Sequence, residues 1–134
     1  MIVADFEKLK DTEREIHDPK GQWTSLRKFL ADQNLGYSFH LTTIKPNEEL
    51  HMEYKNHIEL VSIIQGSGTV TDKKTGQEYS LKPGVTYLLD KHDAHILTSG
   101  PDGMQMHCIF TPALTGKEVH GKDGAYPLLN EEVA

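Results

Sequence analysis

His51-Met52-Glu53-Tyr54-Lys55-Asn56-His57-Ile58-Glu59 runs straight into Leu60-Val61-Ser62-Ile63-Ile64 and then into Gln65-Gly66-Ser67-Gly68. A polar stretch with two histidines and two glutamates thus feeds an apolar run of strand length. A glycine-rich break follows, which predicts a buried strand ended by a tight turn. Further on, Lys82-Pro83-Gly84 predicts a turn and Val85 to Leu89 another strand. Asp90-Lys91-His92-Asp93-Ala94-His95 then brings a second group of ligand-type side chains before Ile96-Leu97 resumes the apolar pattern. Two such segments brought together in a barrel can converge on one ion, because imidazole and carboxylate are ordinary donors to divalent metals.

Working outward, Tyr37 to Ile44 is rich in aromatic and β-branched residues and alternates. It predicts a strand with His40, Thr42 and Ile44 on one face and Phe39, Leu41 and Thr43 on the other. Trp23 to Leu30 reads as a strand with Trp23, Ser25, Arg27 and Phe29 facing one way. Thr69 to Asp72 and Gln77 to Leu81 flank Lys73-Lys74-Thr75-Gly76 as a hairpin. Lys45 to Glu49 reads as a loop, Asn34 to Gly36 and Ser99 to Gly103 as turns, and Met104 to Phe110 as a strand. At the start, Met1 to Val3 predicts a short strand and Asp5 caps a helical turn over Phe6 to Leu9. Asp11 to Lys20 is polar and ends in a turn at Asp18 to Gly21. Short strands separated by Gly and Pro turns indicate a sandwich or barrel. The pattern changes after Thr111-Pro112. Leu114 to Leu129 carries Gly116, Gly121, Gly124 and Pro127 without a period, so an irregular covering segment with a helical turn is expected. Asn130 to Ala134 are expected to fray. The fold class is therefore all-β: a single domain over 1–134, with a jelly-roll-like barrel at about 23–110 and a lid at about 111–130.

With 134 residues the chain is long enough for one domain with a real core. Twenty acidic against 14 basic residues give a formal charge of −6, which argues against nucleic acid or an anionic membrane as partner. Cys108 is the single cysteine, so no intrachain disulfide forms. The charged first twenty residues have no apolar signal-peptide core, and no segment approaches the roughly 18 apolar residues of a membrane span. A cytoplasmic location is expected.

Glu59, the six residues after it and Gly66 resemble the end of the first cupin motif, and Gly84 through His92 to His95 resembles the second. The usual His-x-His of motif one is His51-x-Glu53 here, and the usual Pro and Gly of motif two are Asp90 and His92. The resemblance thus implies a cupin with an altered ligand set. Tyr54-Lys55-Asn56-His57-x-Glu59, Tyr87-x-x-Asp90-Lys91-His92-Asp93-x-His95 and Leu114-Thr115-Gly116-Lys117-Glu118-Val119-His120 resemble the ectoine synthase family more closely. So do Trp23-Thr24-Ser25, Ser38-Phe39-His40-x-Thr42-Thr43 and Tyr126-Pro127-Leu128. In the family, the residue before Arg27 is often a second arginine where this chain has Leu26; Leu26 and Glu53 are both expected outside the pocket.

That resemblance implies a metal held by Glu59, Tyr87 and His95, with Fe(II) first and Zn(II) or Mn(II) also compatible with an oxygen-rich set carrying one nitrogen. His51 and His57 are the alternative ligands, and His92 and Asp93 would orient the ligand loop. It implies a pocket lined by Trp23, Arg27, His40, Thr42, Tyr54, Tyr87, Cys108 and Phe110, with Arg27 pairing with a carboxylate. Tyr54, Glu118 and His120 are left as the catalytic acid and base, undistinguished from one another. The implied reaction closes N-γ-acetyl-L-2,4-diaminobutyrate to the cyclic amidine L-ectoine with loss of water, in compatible-solute synthesis under osmotic stress. A homodimer is also implied. An iron cupin dioxygenase and a non-catalytic solute-binding cupin are the competing readings.

Overall fold

The computed structural model describes residues 1–128, and within them the chain is almost entirely β. In chain order the strands are β1 Glu15–His17, β2 Trp23–Lys28, β3 Ser38–Ile44, β4 Glu49–Met52, β5 Ile58–Asp72, β6 Glu78–Leu81, β7 Thr86–Leu89 and β8 His95–Thr111. Two 3-10 turns, Phe6–Leu9 and Ala31–Gln33, are the only helical pieces among the described residues. The first is capped as expected, the Asp5 carboxylate accepting from the Glu7 amide at 3.0 Å.

β5 and β8, of 15 and 17 residues, pair antiparallel along nearly their whole length and form the spine. Each takes different neighbours at its two ends. The Glu59–Ser62 part of β5 takes β7, and the Met104–Phe110 part of β8 takes β3, then β2 and β1. The Gly68–Thr71 part of β5 takes β6, and the His95–Thr98 part of β8 takes β4. Two antiparallel faces thus share two long strands and enclose the core, the jelly-roll-like barrel that the strand pattern predicts. Alternation sets what points inward: Val61, Ile63, Leu97 and Met106 are all essentially fully buried. Each contributes roughly 1.5–3 kcal/mol by leaving water.

The structure corrects several local expectations. Gln65–Gly68 and Ser99–Gly103 do not end strands; β5 and β8 run through them. The glycines serve a bend instead. Register shifts fall between Ile63 and Gly68, and a Cβ on Gly66 would lie 2.1 Å from the Gly103 carbonyl oxygen, so the two backbones cross where only hydrogen fits. Met1–Val3 is exposed and belongs to no strand. β1 lies in the stretch read as merely polar, and β4 begins in the stretch read as loop. β2 stops at Lys28, and Phe29, at φ +57°, leaves the alternation instead of sharing a face with Arg27.

After β8 the chain has neither helix nor strand through Leu128, so the expected helical turn is absent there. This tail is tied across the barrel mouth. The Ala31 amide donates to the Leu114 carbonyl at 2.8 Å and the Glu53 amide to the Gly124 carbonyl at 3.2 Å. The Leu114 amide donates to Ser38 Oγ at 2.9 Å and Asn56 Nδ2 to the Tyr126 carbonyl at 3.0 Å. The expected fraying of Asn130–Ala134 lies outside the described residues. No helix among the described residues is long and apolar enough to cross a membrane.

Candidate active site

Strand register builds the site in rows. Arg27, His40, Cys108, Val61 and Tyr87 are successive partners across β2, β3, β8, β5 and β7, so their side chains share one face. Ser25, Thr42, Met106 and Ile63 form the row on one side, and Ser38, Phe110, Glu59 and Leu89 the row on the other. Tyr54 from the link after β4, and His120 and Tyr126 from the tail, close over them. The result is a buried cup with room for only about 30 Å³ of water. Trp23, Arg27, His40, Thr42, Tyr54, Glu59, Tyr87, Cys108, Phe110 and His120 all line it. Leu26 and Glu53 do not, as expected.

Two of the expected metal ligands, Glu59 and Tyr87, line the cup, and the third, His95, does not. Burial pushes the Glu59 carboxyl up to about 8 and the Tyr87 phenol well above its ordinary value. The Cys108 thiol beside Glu59 is pushed up for the same reason and stays protonated, which makes it a wall residue and no nucleophile. His95 is buried, and its Nδ1 lies 2.8 Å from the Asp93 carbonyl oxygen, which can only accept. Nδ1 therefore carries the proton and Nε2 presents a bare lone pair. That Nε2 is buried without a hydrogen-bond partner. Tyr87 borders both the cup and a second cavity of about 310 Å³, which His95 also lines with Asp72, Asp90 and Asp93. A desolvated carboxyl, a desolvated phenol and an imidazole nitrogen without a partner among the described residues are each of the donor type that a divalent metal takes, and Tyr87 is the residue that borders both the cup of Glu59 and the cavity of His95.

The neighbours of this wall are also accounted for. Asp93 orients His95 through its main-chain carbonyl, and His92 Nδ1 donates to the Tyr54 carbonyl at 2.8 Å. His92 holds φ +54° to do so. Of the alternative ligands, His51 is exposed beside Glu49 at 3.4 Å. His57 is buried with its Nδ1 unpartnered among the described residues, its ring packs edge-on against Phe110 and Tyr126, and it lines neither the cup nor the cavity of His95.

The opposite wall is polar and comes partly from the tail. Arg27 is 1% exposed. Its Nε donates to Ser25 Oγ at 3.1 Å, its Nη1 to the Glu118 carbonyl at 2.8 Å and its Nη2 to the Tyr126 hydroxyl at 3.5 Å. The guanidinium also sits 5.8 Å from the Trp23 ring centre. Tyr54 and His120 meet at 2.7 Å, hydroxyl to Nε2. Burial lowers His120 to about 4 and raises Tyr54, so both are neutral and the phenol, the more acidic partner, donates. Trp23 Nε1 and His40 Nδ1 are buried and unpaired, so two polar atoms on cup-lining rings stand without partners. His40 Nε2 is occupied by Ser38 Oγ at 2.7 Å.

Glu118 behaves differently from its expectation as an acid or base. Its carboxylate accepts from the Thr115 amide at 2.8 Å, and from Thr115 Oγ1 and the Gly116 and Lys117 amides, each at 3.0 Å. The side chain is buried in its own loop and does not line the cup. It fixes the loop whose carbonyl holds Arg27. The spacing Thr115-x-x-Glu118 is that of a capping box, a signal in the sequence that points to this role. Tyr126, Ser25 and Met106 line the cup without having been singled out as site residues.

A small antiparallel barrel that encloses a cup lined by Glu59 and Tyr87, with the bare imidazole of His95 in the adjoining cavity, defines a cupin-type protein. A cupin domain from Schizosaccharomyces pombe has this fold, with a TM-score of 0.58 and 13% identity over 68% of this chain and 65% of that one. Residues 1–130 match the ectoine synthase family model, and the chain belongs to that family. The L-ectoine synthase of Hyphomonas neptunium is 50% identical over 95% of this chain and 93% of its own. The crystal structure of ectoine synthase from P. lautus superposes with a TM-score of 0.82 at 40% identity, covering 96% of this chain and 91% of that one.

Proposed function

We propose that this chain is an ectoine synthase, closing N-γ-acetyl-L-2,4-diaminobutyrate to L-ectoine and water. The observation that carries the reading is the buried Nε2 of His95, without a partner among the described residues, in a cavity that shares Tyr87 with the Glu59 cup, in a chain of this family. Those three residues would hold Fe(II), with Zn(II) or Mn(II) also compatible with the donor set. When bound, the ion supplies Lewis-acid polarisation of the acetamido carbonyl, a poor electrophile on its own.

The remaining work falls to side chains. Arg27, already fixed at Ser25, Glu118 and Tyr126, receives the substrate carboxylate. Trp23, Thr42, Cys108 and Phe110 fold the substrate so that amine and carbonyl meet, which makes ring closure effectively unimolecular. The free α-amine forms the new C–N bond, and its two protons pass in turn through Tyr54 and His120 to the former carbonyl oxygen, so the C–O bond breaks, water leaves and the C=N bond of the amidine forms. Because the closed cup has room for only about 30 Å³ of water, the tail must open to admit substrate. The same reading includes a homodimer, a cytoplasmic location and a role in osmotic stress, which rest on family expectation and, for location, on the single cysteine. Family membership does not favour the dioxygenase or the binding-only barrel.

The test is turnover of the synthetic substrate by chelated protein, before and after Fe(II) is restored, with ectoine followed by chromatography. Iron-dependent ectoine is expected. No ectoine with any of the three metals, although metal is bound, would overturn the reading.

A further inference from the structure

We propose that Tyr126 is a positioning residue that fixes the plane of His120 against Tyr54 and joins that pair to Arg27. This rests on the proposed function. His120 makes one side-chain hydrogen bond among the described residues, to the Tyr54 hydroxyl at 2.7 Å. One bond at one ring nitrogen leaves the imidazole free to swing about that contact. The second constraint is Tyr126, whose ring lies flat on the imidazole, centroids 4.4 Å apart and planes 6° from parallel. Trp23 adds an edge contact at 5.4 Å.

Tyr126 is itself held from several sides. Its carbonyl accepts from Asn56, its ring meets Phe110 at 5.3 Å and Tyr54 at 5.2 Å, and the Arg27 guanidinium lies 5.4 Å from its centre. The preceding turn is pressed onto β4: a Cβ on Gly124 would lie 2.6 Å from the His51 carbonyl oxygen. The phenol therefore reaches the substrate-carboxylate arginine through its hydroxyl and the proton-handling histidine through its face. Placing the carboxylate and aligning the proton relay become one geometry. A ring serving only as filler would need neither the parallel plane nor the hydroxyl contact.

The experiment compares Y126L and Y126F, alone and with H120A, in the metal-loaded protein. Y126L is expected to lower kcat by about 30-fold with KM changed less than about threefold, and to cost under about twofold more in the H120A background, because it acts through His120. Full additivity of the two losses, or unchanged kcat in Y126L, would overturn the proposal. Imidazole nitrogen NMR of His120 in the zinc-loaded protein gives a readout independent of turnover. One tautomer is expected in the parent and in Y126F, which keeps the ring, and averaged tautomers in Y126L. If Y126L does not fold, Y126F still decides, since loss of the single tautomer there would overturn the ring-stacking assignment. A protein that makes no ectoine yet shows this NMR pattern would refute the reaction and leave the positioning intact.

Discussion

The two walls of the cup are built by different physics. Glu59, Tyr87 and Cys108 take their places from ladder register, so dozens of main-chain hydrogen bonds and the whole core hold them. Arg27 belongs to a strand too, but its partners Glu118 and Tyr126, and the Tyr54–His120 pair, depend on a tail with no regular structure. A few side-chain-to-main-chain bonds carry that second wall. The barrel wall holds its desolvated groups through the ladder, while the tail wall rests on a few local bonds and still leaves Trp23 Nε1 and His40 Nδ1 without partners among the described residues.

The largest expected effect lies on the barrel wall. Glu59 is held protonated up to about pH 8, against an ordinary value of 4.5. In metal-free protein the folded state then binds a proton that the unfolded state has released, so stability is full below about pH 4.5 and falls as pH rises to about 8. The loss is on the order of 5 kcal/mol at most, and E59Q should flatten it; denaturant unfolding at pH 5 and pH 8 measures both. Next, H95A should retain its fold by circular dichroism but bind metal poorly. It should lose about three orders of magnitude in kcat/KM, about 4 kcal/mol of transition-state stabilisation.

Tail-wall changes should be smaller. Y54F removes the hydroxyl that meets His120 and should lower kcat about 100-fold, about 3 kcal/mol, with metal content unchanged. E118A frees three amides and a hydroxyl, and should loosen the tail by about 2 kcal/mol. Hydrogen exchange should rise in 114–126 while the barrel midpoint hardly moves, and KM should rise as Arg27 loses the Glu118 carboxylate 3.9 Å from its Nη1. Equal loss of protection in β5 and β8 would erase the distinction between the walls.

The same division explains what could be read from the sequence. The alternation around His40, Thr42 and Ile44 is a local record of one buried face, so most strands were legible in the pattern, whereas most cup residues were legible only through the family resemblance. Gly66 and Gly103 misled because their composition is that of turns; what makes them bends is the long-range crossing of β5 over β8, which no local window contains. β1 and β4 carry Glu15, His17, Glu49 and His51 facing water, so their pattern looks like loop. In the tail, the family resemblance put Glu118 among the acid and base candidates, while its Thr115-x-x-Glu118 spacing marks the local cap that its carboxylate makes. Tyr126 stood in one of the stretches that carry the family resemblance, but its place in the cup depends on where the tail returns.

The most direct measurement is a titration of chelated protein with Fe(II), recording bound iron by atomic absorption and ectoine formed from the synthetic substrate in the same samples. Turnover should rise in proportion to bound iron and stop at one ion per chain, and H95A should show neither saturation nor product. Full turnover before any metal is added, or one iron bound per chain with no ectoine, would contradict a metal-assisted cyclisation in this cup.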